Sequence, residues 1–522
     1  MKKLRLISLV LVLVLMVGVF AGCKKGSSDK VIWLVSGTEG PDTPEVINKV
    51  ISRIKEETGL TVEFKYIDDS QYDLQFSSGE PFDLVWAPDW KGYWQNVEKG
   101  AFAEITEEDY KKYAPYIWEN GKKYLEASKF DGKYYGIVGI RDYSPDRLLV
   151  ARGDLMDKYG IDALNTIEDV DKFVNAVADD KTNDGALLAF NAPGNAPWMI
   201  FNMWASDWGW GGVGSLSFGE HIYYDTDEDY QKLFVAIDRP EVKEYSENVK
   251  GWYDKGIFSK SILSNETSAE EALKNGKSAL AWTSSPSSAN ALYKELQADE
   301  RKSYDVRFYS MYARQQRMYG YMNSNTSINA KSKNKEGALK VMNAVYANED
   351  IYMLLTKGIE GKHYEFSKDG GFIDLNTDAS YQGPVISISN DAYNVTTDYV
   401  YPYAEDLVAE LKGKSLEDPL VNCVVAAPDE IAVIKTQLSE VFSEYCFARM
   451  YGAVDNVDKA IANEKKALKA AGIDKWLAHN QKCVDEYVKN NPEAIKRYEE
   501  GKKKVAKWNE EHPTKTNPKD YK

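Results

Sequence analysis

Apolar and polar positions alternate between two periods along the first ninety residues, and the switching predicts the architecture. "VIWLVSG" (31–37) is a compact β-branched and aromatic run stopped by Ser-Gly, which reads as a buried strand. In "DTPEVINKVISRIKEETG", Thr43 can cap a helix, Pro44 suits its first turn, and Val46, Ile47, Val50, Ile51 and Ile54 form one apolar face before Gly59 stops it. "LTVEFKYI" (60–67) and "PFDLVW" (81–86) are further strands. Strand and helix alternate, so an α/β domain with a largely parallel sheet is expected. Its loops of interest lie beyond the carboxyl ends of the strands, at Ser36–Asp42 and Trp86–Tyr93.

A second strand, "DRLLVARGDL" (146–155), precedes "NTIEDVDKFVNAVADD", where Thr166 caps a helix with Val170, Phe173, Val174 and Val177 inside. "ALKNGKSALAWTSS" (272–285) reads as helix end, turn, strand and loop, and residues 320–355 as strand, polar loop and amphipathic helix. From about Asp429 to Asn509 the pattern is mostly helical, and the lysine-rich last thirty residues are expected to be a solvated or partly frayed helix.

The amino-terminal residues bring in location. A basic start (Lys2, Lys3, Arg5), an apolar run from Leu6 to Gly22 and a small-residue site read as a secretory signal spanning 1–22. "VFAGC" looks like a bacterial lipobox, with Phe20 where leucine is usual, so Cys23 is expected to be acylated and residues 23–29 to form the tether. Two acyl chains give the stable anchoring that one cannot. The remaining chain of about 500 residues is too long for one core, and two or more domains are expected.

Charge narrows the partners. The chain carries −16 formally, and without the three leader cations 62 bases face 81 acids, −19. That balance argues against nucleic acid, which needs clustered cations. Cys423, Cys446 and Cys483 are an odd set with no CxxC spacing, which leaves one disulfide open and indicates no zinc site. Four histidines show no HExxH pattern, and no GxSxG elbow occurs. Gly209, Gly211 and Gly214 match GxGxxG, but tryptophans interleave them and no helical pattern follows. "DTDED" (225–229) begins like a calcium loop, yet Tyr230 stands where glycine is needed and Ala236 where the bidentate glutamate should be. No cofactor, metal or catalytic set is expected.

The aromatic load stands out: 35 Tyr and 13 Trp, with Trp198, Trp204, Trp208 and Trp210 inside one short segment. Most such rings belong in cores. A ring at a strand end beside a carboxylate is different, because sugars offer an apolar C–H face to stack and hydroxyls that need placed acceptors. Trp86, Asp89 and Trp90 fit that division of labour.

Taken together, "SSGEPFDLVWAPDWKGYWQNVEKGAFAEI", "DGKYYGIV", "RGDLMDKYGID", "GWYDKGIFSKSIL", "LKNGKSALAW", "SINAKSKNKEGALKVMNAVYANEDIYMLL", "GIEGKHYEF" and "KKALKAAGIDKW" carry a resemblance. In this order and spacing they resemble the extracellular solute-binding lipoproteins of ATP-driven sugar importers, the class containing maltose-binding protein. The last two stretches look like a branch of large Gram-positive lipoproteins. The resemblance implies a periplasmic-binding-protein-like fold of type II: two α/β lobes with a hinge, plus a helical C-terminal region. It divides the chain into residues 30–145 with 318–375, and 146–317 with 376–522. It implies a lipid-anchored, monomeric protein on the outer face of the cell membrane, which delivers an oligosaccharide to the permease of an ABC importer without catalysis.

Residues carry over as follows. Trp86 and Asp89 match the ring and acid that hold sugar after the third strand, and Trp90 stands where a basic residue can occur. Trp282 matches an aromatic platform of the second lobe. Arg141, Asp142 and Tyr143 lie at the crossover near the cleft floor. Trp198 and Trp208 match a loosely similar aromatic loop, and Glu39 and Asn323 complete the set by position. A peptide ligand, or a cell-surface glycoside hydrolase using the same cleft, are the competing readings.

Overall fold

The computed structural model describes residues 29–521 apart from 142–146, 183–186, 195, 213–220, 299–304, 312–315, 319–320, 369, 377–379, 385, 396–399, 421–422, 424, 426–428 and 514. Nine strands build its two main sheets: β1 (Lys30–Ser36), β2 (Thr61–Ile67), β3 (Leu84–Trp86), β4 (Ile137–Val138), β5 (Leu148–Arg152), β6 (Leu188–Phe190), β7 (Ser278–Thr283), β8 (Val306–Ser310) and β9 (Asn325–Ile328).

The first sheet has the order β2-β1-β3-β9-β4. β1 runs parallel to β2 and β3, and β9 returns antiparallel between β3 and β4. Trp33 of β1 is fully buried and stacks on Phe64 of β2 with centroids 5.5 Å apart. The helix Thr43–Thr58 lays Val46, Val50 and Ile54 on this core and ends at Gly59, whose left-handed φ of 73° lets its N–H reach the Lys55 carbonyl. Thr43 is not its cap: Asp42 holds that place, and the Thr43 hydroxyl instead accepts from the Gly40 N–H and donates to the Gln382 carbonyl.

The second sheet has the order β8-β5-β7-β6, with β5 antiparallel to both neighbours and β7 parallel to β6. Thr166 closes a capping box with Asp169 at the start of helix Ile167–Asp179, which buries Val170, Phe173, Val174 and Val177 as its pattern requires. Carboxy-terminal helices Asp429–Val441, Val457–Ala471 and Ile473–Asn490 complete the same core, while Leu407 and Leu411 of helix Ala404–Gly413 join the apolar cluster that includes Leu148, Val150 and Phe308.

The strand expected near residue 320 lies later. Tyr321–Ser324 is a 3-10 turn, and the strand is Asn325–Ile328, all four residues buried despite the polar letters. Asn325 is tolerated inside because its amide donates 2.7 Å to the Ala87 carbonyl.

Three crossovers join the sheets. The chain leaves β4 at Val138 and enters β5 at Leu148, returns from Ser310 to Asn325, and passes once more from about Tyr393 to Tyr401. Residues 380–393, expected with the second lobe, pack on the first: Tyr381 and Ile386 fill its core, and the Asn390 amide donates to the Tyr346 carbonyl. The segments meet at one knot. Gly139 N–H donates to Ser324 O (2.7 Å), Ile140 N–H to Ser389 O (2.8 Å) and Asp391 N–H to Ile140 O (2.8 Å). A Cβ on Gly139 would fall 2.4 Å from Ser389 Oγ and 2.8 Å from Ser324 Cβ, so the knot closes only around glycine. On the other side, Met311 N–H bonds to Arg147 O (3.1 Å).

The tail also differs from expectation. Helix Pro492–Glu511 is mostly exposed, but the chain after it docks: Lys515 Nζ reaches Asn165 O, Thr516 N–H reaches Glu410, Lys519 pairs with Asp162, and the Tyr521 hydroxyl donates to Asp406. Here lysines, a backbone N–H and a phenol each donate to an anion or a carbonyl, which the lysine count alone does not show.

Candidate functional site

The pairing registers place one edge of each sheet at the crossovers. Thr326 opposes Trp86 and Asn325 opposes Val138 in the first sheet, while Thr283 and Ser310 both oppose Leu148 in the second. Ten residue steps separate Val138 from Leu148, so the two edges stand within about 36 Å of each other where the first crossover joins them.

On the first edge, β3 delivers Trp86 half-buried, and Pro88 leads into the 3-10 turn Asp89–Lys91. Gly92, at φ 75°, then lets helix Tyr93–Glu98 begin at once. Asn325 clamps the exit from β3: its N–H side chain and backbone carbonyl bond both polar groups of Ala87. The Trp86 indole N–H donates 2.8 Å to the Asn323 carbonyl, and the Asp89–Lys91 turn packs against Tyr321–Ser324. Trp86, Asp89 and Asn323 are thus brought together. Trp90 belongs to the same turn; its side chain lies outside the described residues.

Lys91, which the sequence reading missed, holds its ammonium 5.0 Å from the Trp86 ring centre and 4.9 Å from that of Tyr72. No motif marks it; only its place one residue after the Trp90 position did. Trp94 is scaffold, buried edge-on against Tyr93 at 4.6 Å, and the Tyr93 hydroxyl is tied to Ser128 O.

Glu39 is exposed in the loop after β1. Burial pushes the Tyr66 phenol of β2 up to about 12, and the Glu39 charge adds to it, which puts Glu39 on the same edge. Arg141 stands half-buried at the first crossover, close enough to Lys357 that its charge adds to the burial holding that ammonium below the usual lysine range, against the pull of Asp374. Asp142 and Tyr143 lie outside the described residues.

On the second edge, Trp282 is the penultimate residue of β7, half-buried and edge-on to Phe190 at 5.6 Å. Trp198 opens helix Pro197–Asp207, and the guanidinium of Arg147, from the first crossover, covers its ring at 5.0 Å. Trp208 goes elsewhere. It caps the far end of that helix and packs on Trp210 (4.8 Å) and Phe201, a cluster that also holds Tyr223 and Phe234. The geometry therefore gathers Trp86, Asp89, Asn323 and Glu39 on one edge and sets Trp282 and Trp198 on the other. Trp208 belongs to neither.

Two such sheets, each with an antiparallel strand supplied after a crossover and joined by three adjacent connections, define a type II solute-binding fold. The family profile of bacterial extracellular solute-binding proteins matches residues 49–359, and the chain belongs to that family. A domain of unknown function matches residues 429–489, the added helices of the second lobe. A carbohydrate ABC transporter substrate-binding protein of Streptococcus pneumoniae serotype 4 is 22% identical over 86% of this chain and 90% of its own. The polygalacturonan/rhamnogalacturonan-binding protein YtcQ of Bacillus subtilis is 22% identical over 87% of this chain and 93% of its own. Among solved structures, the N-glycan transport solute-binding protein NgtS of Streptococcus pneumoniae superposes with a TM-score of 0.71 at 20% identity, covering 88% of this chain and 99% of that one. FusA, an ABC-transporter substrate-binding protein of the same species solved with kestose, gives 0.61 at 18%, covering 88% and 100%. At these identities the likenesses establish the fold. Among the described residues no helix is long and apolar enough to cross a membrane.

Proposed function

We propose that the protein captures an oligosaccharide between its lobes and hands it to the membrane subunits of an ABC importer, as a monomer tethered outside the membrane through acylated Cys23. The lobes are residues 30–145 with 318–393, and 146–317 with 394–522. The reading rests above all on Trp86. Its N–H is already spent on Asn323, so a sugar would meet the ring by its face, beside the Lys91 ammonium 5.0 Å from the ring centre, with Asp89 in the next turn for hydroxyls. Trp282 supplies the opposing ring, and closure is worth what the ligand gains by touching both lobes. The carbohydrate-binding relatives support the class of ligand. The same residues bind without turning sugar over.

The test is incubation with a panel of neutral and acidic oligosaccharides, followed by melting and product analysis. A rise in melting temperature with ligand excess, and no product, is expected. Released shorter sugars would make the protein a hydrolase, and stabilisation by peptides alone would replace the ligand class.

A further inference from the structure

Away from the cleft, the second lobe buries three metal-type donors at one point. His221 precedes the strand Ile222–Asp225, Cys446 closes the π-helical turn Phe442–Cys446, and Glu464 lies within helix Val457–Ala471. One ligand atom of each falls within 4.8 Å of the others, and all three residues are buried. Cys446 Sγ is 3.1 Å from Glu464 Oε1 and 3.8 Å from His221 Nδ1. Arg449 grips the carboxylate from behind, Nε donating to Oε2 (2.6 Å) and Nη2 to Oε1 (3.1 Å), while its Nη1 donates to Ser246 Oγ.

A single S–H hydrogen therefore faces both a carboxylate oxygen and an imidazole nitrogen and can serve one of them. His221, 6% exposed, leaves its Nε2 without any hydrogen-bond partner. The Arg449 fork holds the Glu464 carboxylate in a buried ion pair. Carboxylate and guanidinium cancel in that pair, and the thiol that donates to Glu464 carries its own proton, so the facing charges of the cluster sum to zero.

We propose that Cys446 Sγ, His221 Nδ1 and Glu464 Oε1 form a binding site for a soft monovalent cation of the Cu(I) class. The S–H bond ionises, its proton leaves to solvent, and the cation takes its place on the sulfur. No electron is transferred, and the buried charge stays zero. Thiolate and imidazole are the ligands such ions select. A divalent ion would leave an uncompensated positive charge in a dry interior, which desolvation penalises. Arg449 then serves as the outer partner that orients the carboxylate. The π-turn is a wider, rarer helical geometry that recurs at functional sites, and here it supplies the sulfur. Because the donors come from three separated segments, the site exists only in the folded chain.

The experiment uses the full chain with Cys23→Ser, Cys423→Ser and Cys483→Ser, so that Cys446 is the sole thiol, titrated anaerobically with Cu(I) held by bicinchoninate. One equivalent should bind, be released on unfolding in guanidinium, and show one sulfur with nitrogen and oxygen neighbours in copper-edge X-ray absorption. Adding Cys446→Ser should weaken binding at least about 100-fold, and His221→Gln about tenfold, on the scale that perturbed metal shells show. The proposal fails if the folded triple variant competes no better than its Cys446→Ser derivative, if the unfolded chain holds copper equally well, if the absorption spectrum shows sulfur alone, or if Zn(II) binds as tightly as Cu(I). The spectrum and the unfolding release decide the matter even where Cys446→Ser does not fold.

Discussion

Two segments of this protein are dense in tryptophan, and their rings are placed in opposite ways. In residues 82–94 Trp86 emerges half-buried at the end of a strand, while Tyr93 and Trp94 are buried edge-on to each other in the helix that follows. In residues 197–212 the order is inverted: Trp204 and Trp210 are core, crossed by Tyr245, Trp252, Phe201 and Phe234 at 5.0–6.5 Å, and Trp208 packs onto them. Only Trp198, at the helix start beside the crossover, lies near an edge. Aromatic density thus marks where apolar area is needed. The ring proposed to bind stands instead at a strand end, with its indole N–H on the Asn323 carbonyl.

The largest effect should come from the segment whose rings fill the core. Trp210→Ala, at 1% exposure, is expected to cost about 3–5 kcal/mol of folding stability in denaturant titration while leaving ligand affinity of the folded protein unchanged. A lost affinity in the folded variant would merge the two segments into one site. Trp86→Ala reverses the profile, with about 1–3 kcal/mol lost in calorimetric binding of a sugar and a smaller loss of stability. Trp86→Phe keeps a face but gives up the donor to Asn323, so about half the loss is expected, on the order of one hydrogen bond. Asn325→Ala sharpens the point further. It touches no ligand position, yet it frees the Ala87 carbonyl from which Trp86 is aimed, and should cost about 1–2 kcal/mol of stability with a measurable fall in affinity.

How far the sequence could foresee this follows the same physics. The strands of the first ninety residues and the helix Thr43–Thr58 were legible because local period and burial agree, as at Val46, Val50 and Ile54, and so was the helix that Thr166 caps, while the short helix Tyr72–Ser78 was not read. β9 was not, because "NTSI" looks like loop. Its burial depends on partners 187 or more positions away, Val138 and Trp86 among them, that no local pattern reveals. Trp86 and Asp89 were singled out by reasoning about strand ends, and the structure brings them together with Asn323. Lys91 was missed because its contact with Trp86 and Tyr72 arises from a 3-10 turn whose course the letters do not dictate. Residues 380–393 were assigned to the wrong lobe for a related reason: the chain re-crosses after them, and only the fit of Tyr381 and Ile386 into the first core decides where.

Trp198 is the residue on which the comparison turns most finely, since it belongs to the buried segment by sequence and to the cleft edge by place. Arg147 lies over its ring at 5.0 Å and reaches Met199 as well, so the guanidinium ties the start of helix Pro197–Asp207 to the first crossover. A double-mutant cycle of Trp198→Ala and Arg147→Met should return a coupling of about 0.5–1 kcal/mol, the value of a partly exposed cation–π pair. If the ring is structural, that coupling appears in stability alone and is the same with or without saturating sugar. If it also receives ligand, the coupling changes when sugar is bound, because a stacked pyranose and the guanidinium meet the same indole. A cycle that is flat in both conditions would show that Trp198 belongs with Trp208, on the buried side of the divide.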